Sequence, residues 1–223
     1  PGLSFTAAGR PPTQAGRPMP LPAVQLVWFK RDLRVHDHVP LSEAAARGPV
    51  LPLYVVEPGL WAQPDAAWRQ WAFVRASLQE LRADLAALGQ PLLVRTGEVR
   101  EVLAALQCEV VIDAVWSHQE TGNGWTFARD RALAGWLRER GIPWHERRQH
   151  GVVRGLRRRE AWARQWEGLM ADDMPVAPAL PPLPLPPGEI PDSPHPALAV
   201  EEGRHQGGGR RAGERVLHGF LHA

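Results

Sequence analysis

The sequence lacks the features that membrane, secreted and disulfide-bonded proteins need. Its 223 residues contain no apolar run close to the roughly 18–20 residues that cross a bilayer, and residues 1–22 contain no apolar stretch long enough for a signal peptide. The single cysteine, Cys108, can form neither an internal disulfide nor a cysteine metal site. We therefore expect a cytoplasmic protein in which Cys108 is a buried spacer between a helix and a strand.

Lysine and tyrosine are almost absent, with one residue of each. The other basic residues are arginines, and 26 basic against 24 acidic residues leave a net charge of +2, which is too small to indicate nucleic-acid binding by itself. By contrast, there are ten tryptophans. Because this side chain is costly to expose, the tryptophans indicate a substantial core or an aromatic pocket.

Common catalytic and nucleotide-binding motifs are also missing. There is no GxxxxGK[ST] phosphate loop and no G-x-S-x-G nucleophile elbow, and Gly122-Asn123-Gly124 is followed by Phe127 where a dinucleotide fingerprint needs glycine. His36 and His38 lie two residues apart in a loop, which is not the helical spacing of paired metal ligands. The sequence predicts no metal site and no catalytic residue.

Proline content divides the chain. Residues 1–22 contain six prolines, residues 23–170 contain seven, and residues 175–196 alone contain ten. We interpret residues 1–22 as a disordered leader, 23–170 as one folded domain, 171–207 as an extended proline-rich linker and 208–223 as the beginning of a further helix.

Apolar segments in the central domain alternate between strand and helix patterns. The clearest helix runs from Trp71 to Leu88 with apolar residues every three or four positions, and Gly89 is its expected end. Asn123 is an expected helix cap, and Pro52 suggests an irregular or edge strand. Five strands are predicted at 24–29, 50–56, 92–94, 110–116 and 142–145. The predicted fold is α/β, a Rossmann-like, doubly wound five-stranded parallel sheet.

Ligands of such sheets bind at the carboxyl ends of the strands, near the point where the strand order reverses. Two loops satisfy this condition, residues 30–38 after the first strand and residues 117–124 after the fourth. The first is dense in charge. It is either a solvated turn in which Asp32 and Asp37 pair with Arg31 and Arg34, or part of a binding site.

Residues 28–41, WFKRDLRVHDHVPL, follow the first strand directly. This segment resembles the amino-terminal motif of the DNA photolyase/cryptochrome family. The resemblance continues at residues 53–58 (LYVVEP), along the helix at 70–81, at Arg129-Asp130 and at 208–221, which is similar to the start of the family's helical flavin domain. The motif of the first loop is highly specific, and the resemblance covers residues 24–221.

The resemblance implies a light-harvesting domain of a deoxyribodipyrimidine photo-lyase or cryptochrome. Its antenna pigment would be a deazaflavin, folate, flavin or ribityl-lumazine, lying between the α/β domain and a helical domain that binds FAD and damaged DNA in the intact protein. Blue light would then drive pyrimidine-dimer repair or signalling. The residues expected to bind the pigment are Lys30, Arg31, Asp32, Arg34, Glu120, Asn123 and Trp125.

Within this site, Asp32, Glu120 and Asn123 would hydrogen-bond ring heteroatoms or a ribityl chain, and Arg34 would contact a phosphate or carboxylate. Trp125 would either stack on the pigment or pack at the start of a helix. Arg129-Asp130 is expected to form a salt bridge rather than a ligand contact.

Several features depart from the family pattern. His38 replaces an asparagine common in the family, and the loop 117–125 lacks the tyrosines of many folate-binding members, which resembles a bacterial cryptochrome-like branch. Only the first helix of the flavin domain is expected, so the chain would be truncated and inactive alone. A stand-alone nucleotide-binding sensory module and a nonfunctional gene fragment remain as alternatives.

A group of arginines follows the fifth predicted strand. It is either a DNA contact, or a face above Trp162 and Trp166 that is solvated or meets the missing helical domain, and we expect the second of these. Its members are Arg147, Arg148, Arg154, Arg157, Arg158 and Arg159.

Overall fold

A computed structural model describes residues 22–156, 158–201, 203 and 205–222. The expected leader, residues 1–22, lies outside the described residues except for Pro22. The core is a five-stranded parallel sheet in the order β3-β2-β1-β4-β5. The strands are β1 (Ala23–Phe29), β2 (Val50–Val56), β3 (Leu93–Thr96), β4 (Val111–His118) and β5 (Trp144–Arg147). This order confirms the predicted fold, with its switch point between β1 and β4.

Seven helices belong to the described part of the chain. They are α1 (Val39–Ala45), α2 (Pro58–Trp61), α3 (Trp68–Ala87), α4 (Val99–Leu106), α5 (Gly124–Glu139), α6 (Glu160–Ala171) and α7 (Arg210–Leu221). None of these helices combines the length and the apolar character that a membrane span requires.

Both faces of the sheet are buried, and successive residues of β1 pack on opposite sides. Val27 and Phe29 belong to an apolar cluster with the α1 and α3 side chains. Leu26 and Trp28 belong to a second cluster with α4 and α5. Successive side chains of a strand point to opposite faces of the sheet. Because helices cover both faces here, the side chains on both are buried, and the strand is a nearly continuous apolar run.

Pro52 and Cys108 differ from expectation. Pro52 is buried in β2, which lies between β1 and β3 rather than at an edge. The proline is tolerated because pairing with β3 begins at the next residue, Leu53, so no ladder partner loses a donor at Pro52. Cys108 is exposed rather than buried, because α4 ends at Leu106 and Cys108 lies in the turn that follows.

The proline-rich segment, residues 175–196, contains no helix or strand, and it packs on the domain. Its Leu180 is 3% exposed and joins the core, and Leu180 N donates to Leu88 O at 2.7 Å. Gly89, which ends α3 with φ +115°, is needed here because a Cβ would collide with the Leu180 carbonyl. Further along, Val94 N donates to Pro187 O. The segment therefore covers the outer edge of β3, which would otherwise expose unpaired backbone groups.

Candidate functional site

An open cavity of about 820 Å³ lies at the carboxyl ends of β1, β2 and β4. Its position next to the switch point is where open α/β sheets bind ligands, and its volume is within the usual range for small-molecule sites. Five of the seven residues predicted for the site line it, namely Lys30, Arg31, Arg34, Glu120 and Asn123. Asp32 and Trp125 do not.

Aromatic side chains form much of the cavity wall. Trp28 and Phe29 come from the end of β1 and Tyr54 from the end of β2, while Trp61 and Phe73 belong to α2 and α3. Trp28, Phe29, Tyr54 and Trp61 are buried, and Phe73 is 40% exposed. Phe73 therefore offers most of the accessible aromatic surface of this group, and the other four rings make the wall apolar while exposing little of themselves.

Direct contacts join the two loops singled out in the sequence. Arg31 Nε donates to Glu120 Oε1 at 2.8 Å, across 89 positions of the chain. Asn123 caps α5 by accepting from Thr126 N at 3.1 Å, as predicted, and its amide also donates to both carboxylate oxygens of Asp65 at 3.2 and 3.0 Å. Asn123 thereby holds the β4–α5 loop against the segment between α2 and α3.

The floor of the cavity contains a buried ionic cluster around Arg129. Arg129 Nη1 donates to Glu57 Oε2 at 2.6 Å, and Nη2 donates to Glu120 Oε2 and to Asp130 Oδ1. The predicted salt-bridge role of Arg129-Asp130 is confirmed. Its guanidinium also lies 4.7 Å from the centroid of Trp28. The cluster ties α5 to the ends of β2 and β4.

Burial and mutual attraction shift the ionisation of this cluster in different directions. Burial raises the pKa of Glu57 to about 7, against the attraction of Arg129. Burial also opposes the ionisation of Glu120, but Arg129 and Arg31 hold the pKa of Glu120 below its ordinary value. Although burial alone would lower the pKa of Arg129, the three carboxylates raise it. Glu57 is therefore the member of this cluster that can take up a proton near neutral pH.

Glu57 was not among the residues predicted for the site. It directly follows β2, so it lies at the same edge of the sheet as the two loops. A charged residue directly after a buried strand was the available signal, but the sequence provides no measure of its burial.

Lys30 is a buried ammonium group. Its Nζ lies 3.7 Å from Asp130 Oδ2 and 4.0 Å from Glu146 Oε1, and 4.8 and 5.5 Å from the ring centroids of Trp28 and Trp144. Within the described residues Nζ has no hydrogen-bond partner. Burial lowers the pKa of Lys30 in spite of the nearby carboxylates. Ionic and cation–π attraction thus replace hydrogen bonds around this charge.

Asp32 lies outside the cavity lining, in a buried cluster with two histidines. Its Oδ1 accepts from Lys30 N at 2.8 Å, while Oδ2 lies 2.9 Å from His38 Nε2 and 2.6 Å from His118 Nδ1. Burial opposes ionisation, but the hydrogen bonds from His118 and His38 hold the pKa of Asp32 well below its ordinary value. Asp32 therefore fixes the loop that carries Arg31, instead of facing the cavity.

These three side chains have the composition of a metal site, and their ligand atoms lie within 4.8 Å of one another. However, Leu41 N donates to His38 Nδ1 at 3.1 Å, so the proton of a neutral His38 is on Nε2, the atom that faces Asp32. A protonated nitrogen cannot bind a metal. The arrangement is that of a hydrogen-bonded cluster. The histidine spacing considered in the sequence could not find it, because His118 comes from the end of β4.

Trp125 packs at the start of α5, as one of its two predicted roles required. A Cβ built on Gly59 would lie 2.9 Å from the Trp125 ring, and the Arg129 guanidinium lies 5.6 Å from the ring centroid. The indole therefore packs against α2 and the ionic cluster.

The arginine group near β5 is mixed in environment. Arg147 pairs with Glu43 at 2.7 Å and Arg154 with Glu146 at 3.1 Å, whereas Arg157 lies outside the described residues. Trp162 and Trp166 pack against the segment that carries these arginines: Trp162 Nε1 donates to Gly151 O at 2.7 Å, and a Cβ on Gly151 would lie 2.5 Å from the Trp166 ring. They are 40% and 36% exposed and stack on each other, with ring centroids 5.8 Å apart.

Comparisons with known proteins agree with this architecture. A family model described as DNA photolyase matches residues 25–157, more than half of the chain. The cryptochrome DASH of Gloeobacter violaceus is 40% identical over 101 residues, covering 43% of this chain and 20% of that protein. The deoxyribodipyrimidine photo-lyase of Agrobacterium fabrum is 31% identical over 170 residues, covering 72% of this chain and 34% of the relative.

Among solved structures, a cryptochrome from Synechocystis sp. superposes with a TM-score of 0.72 at 23% identity, covering 91% of this chain and 47% of that one. A class III photolyase from Agrobacterium tumefaciens gives 0.60 at 24% identity, covering 80% of this chain and 39% of that one. The chain spans about a fifth to a third of the length of these curated relatives. The match over residues 25–157 shows that this chain belongs to the DNA photolyase family.

Proposed function

We propose that this α/β domain holds a light-harvesting pigment in the cavity at the carboxyl ends of β1, β2 and β4. The observation that carries the proposal is the open space of about 820 Å³ at the carboxyl ends of the strands, bordered by the loops after β1 and β4 and by α2 and α3. Membership of a family whose solved relatives include cryptochromes and photolyases supports it. The pigment is a deazaflavin, folate, flavin or ribityl-lumazine.

The lining suits an antenna pigment physically. Energy transfer requires a rigid chromophore with a fixed orientation, and aromatic walls on different elements can hold a flat ring more firmly than one surface can. Trp28 and Tyr54 come from neighbouring strands, and Trp61 from a helix that is fixed by edge-to-face packing on Trp71, with centroids 5.2 Å apart. Glu57 and Glu120 line the cavity, and their carboxylate oxygens have further lone pairs that can accept hydrogen bonds from ring N–H groups.

In the intact protein, the pigment would pass its excitation to FAD in a helical domain, to drive repair of pyrimidine dimers or light signalling. Relatives named for each of these two activities match this chain. We assign the FAD-binding and lesion-binding steps to this helical domain, of which α7 would be the first element.

The test is reconstitution of the purified chain with 8-hydroxy-5-deazariboflavin, methenyltetrahydrofolate, FMN and ribityl-lumazine. We expect at least one pigment to stay bound on desalting with a shifted visible absorption band. Ala66 lines the cavity, so Ala66→Trp should abolish binding while the melting temperature stays close to that of the unmodified chain.

Ala62→Trp is the matched control, since Ala62 is exposed and lies outside the lining. This variant should bind as the unmodified chain does. If none of the four pigments shows a spectral shift, or if Ala66→Trp binds as well as Ala62→Trp, the proposal is wrong.

A further inference from the structure

Charged side chains around the cavity are unevenly divided between its floor and its mouth. Six cationic and three anionic residues line it, a net excess of three positive charges. They are Lys30, Arg31, Arg34, Arg69, Arg129 and Arg210, with Glu57, Asp65 and Glu120. On the floor, Arg129 is 7% exposed and surrounded by carboxylates. The other arginines of the lining, Arg31, Arg34, Arg69 and Arg210, lie towards the solvent, where Asp37, Glu201 and Glu214 pair with three of them.

Two arginines at the mouth, the solvent side of the cavity, make few contacts with the rest of the chain. The side chains of Arg31 and Arg69 are 60% and 65% exposed. Arg31 contacts Glu120 through Nε alone, and Arg69 reaches Glu201 through one nitrogen at 3.5 Å. Within the described residues, the terminal nitrogens of Arg31 make no hydrogen bond, and Arg69 makes no other.

The other two arginines at the mouth form hydrogen bonds and ion pairs with residues near them in the sequence. Arg34 donates to the backbone oxygens of His36 and Asp37 at 3.1 and 2.9 Å. Arg210 pairs with Glu214 on its own helix at 2.7 Å. Arg31 and Arg69 are therefore the guanidinium groups whose planar sets of donors remain open to a ligand.

We propose that the cavity selects a pigment whose tail carries an oxyanion, a phosphate or a carboxylate, and that Arg31 and Arg69 bind this group. The inference rests on the proposed function and adds the class of ligand. A guanidinium group binds an oxyanion through two parallel hydrogen bonds, which is stronger and more specific than a single contact.

The same charge distribution sets the orientation of the ligand. An oxyanion placed on the floor would face the carboxylates of Glu57 and Glu120, which are 2% and 4% exposed on their side chains, and like charges repel strongly where water is excluded. The uncharged ring therefore enters first, between the aromatic walls, and the anionic tail remains at the mouth. Among the four pigment classes, flavin mononucleotide and folates with glutamate tails meet this condition.

Ligand pairs that differ only in the anion provide the test. Dissociation constants of FMN and riboflavin, which share ring and ribityl chain, are measured by fluorescence titration of the full chain at low salt. A second pair, folate with three glutamates and folate with one, separates carboxylate from phosphate. We expect the more anionic member of at least one pair to bind about tenfold more tightly, with a preference that decreases as salt is added.

Arg31→Gln and Arg69→Gln should reduce the affinity for FMN or triglutamyl folate towards that of the partner ligand. The affinity for riboflavin, which has no anionic group, should change less than twofold, and monoglutamyl folate, with two carboxylates of its own, should lose less affinity than triglutamyl folate. Arg100→Gln is the matched control, because Arg100 is exposed on α4, away from the cavity. Inorganic phosphate is added as a competitor. If it displaces FMN at equal concentration, the mouth binds free phosphate rather than a pigment tail and the proposal is wrong.

Equal affinities within both pairs overturn this inference and leave the proposed function standing, because the ring is still bound. Failure of all four ligands to bind, together with failure of 8-hydroxy-5-deazariboflavin and ribityl-lumazine, overturns both. A preference that survives both arginine substitutions also overturns the assignment to Arg31 and Arg69.

Discussion

Glu57 makes the stability of this domain depend on pH in a way that a single substitution can isolate. The carboxyl is 2% exposed, hydrogen-bonded to Arg129 and to Val99 N, and burial raises its pKa from 4.5 to about 7. In the unfolded chain the group ionises near its ordinary pKa. The folded state therefore holds a proton on Glu57 between these two values, while the unfolded state does not.

The direction in which the unfolding free energy changes with pH follows from this difference. A raised pKa in the folded state contributes stability that is fully present below about pH 4.5 and is lost as the pH rises through about 7. The shift from 4.5 to about 7 corresponds to about 3 kcal/mol. Glu57→Gln removes the titration and keeps a neutral side chain of similar shape. The difference in unfolding free energy, unmodified chain minus variant, should fall by about 3 kcal/mol between pH 4.5 and pH 8.

Urea denaturation at half-unit pH steps, followed by tryptophan fluorescence, measures this difference. The contributions of other titrating groups to the unfolding free energy are the same in the two proteins and cancel. Loss of the ionic contact with Arg129 adds an offset, so the prediction concerns the pH dependence of the difference and not its absolute value. Glu101→Gln, at an exposed position on α4, should give a difference that stays constant with pH. Parallel curves for the unmodified chain and Glu57→Gln would refute the reasoning.

Three further changes test other parts of the fold. Asp32→Asn should lower the unfolding free energy at pH 7 by about 3 kcal/mol, because charge-assisted hydrogen bonds from His38 and His118 are lost. In urea titrations its effect should shrink below pH 4, since the stability from a lowered carboxyl pKa is fully present above the ordinary pKa and is lost as the pH falls towards the pKa of the folded state. Leu180→Ala should cost about 2–3 kcal/mol in the same assay if the proline-rich segment belongs to the core, and nothing if it is free. Gly208→Val should detach α7 from α3 and raise hydrogen exchange in α7 alone, because a Cβ would collide with the Phe73 carbonyl; unchanged exchange would contradict this contact.

Short-range patterns predicted most of the sheet and its helices. The three- and four-residue spacing from Trp71 to Leu88 is a local property of one helix, and the structure places α3 at Trp68–Ala87. Strand ends were less accurate, since β4 reaches His118 and β5 begins at Trp144. The extension of β4 has a tertiary cause, because pairing with β5 continues through His118↔Arg147, and no local signal marks where a neighbouring strand ends.

The position of the cavity was predicted, but its lining residues were predicted only in part, since five of the seven residues named from the sequence line it. Strand topology brings the loops after β1 and β4 together, and this rule needs only the order of elements. Which side chains face the cavity depends on burial and on distant partners. The Asp32 carboxylate lies outside the cavity, where it is hydrogen-bonded to His118, 86 positions along the chain. The Glu57 carboxylate lines the cavity, where it is hydrogen-bonded to Arg129, 72 positions away. Neither partner can be identified from the loop sequence.

The ionic cluster on the floor of the cavity fixes the relative positions of the surrounding elements and contributes little to the stability of the fold. Taking Glu57, Glu120 and Arg129 out of water costs about as much as their mutual attraction returns, so such clusters contribute little net free energy when intact. Their contacts, however, join the end of β2, the loop after β4 and the first turns of α5. Removing one member leaves a buried charge without its partner, at a cost of about 3–5 kcal/mol. The loops around the cavity are thus held at one separation, which a pigment with a fixed orientation needs, and a looser arrangement of the same elements is penalised.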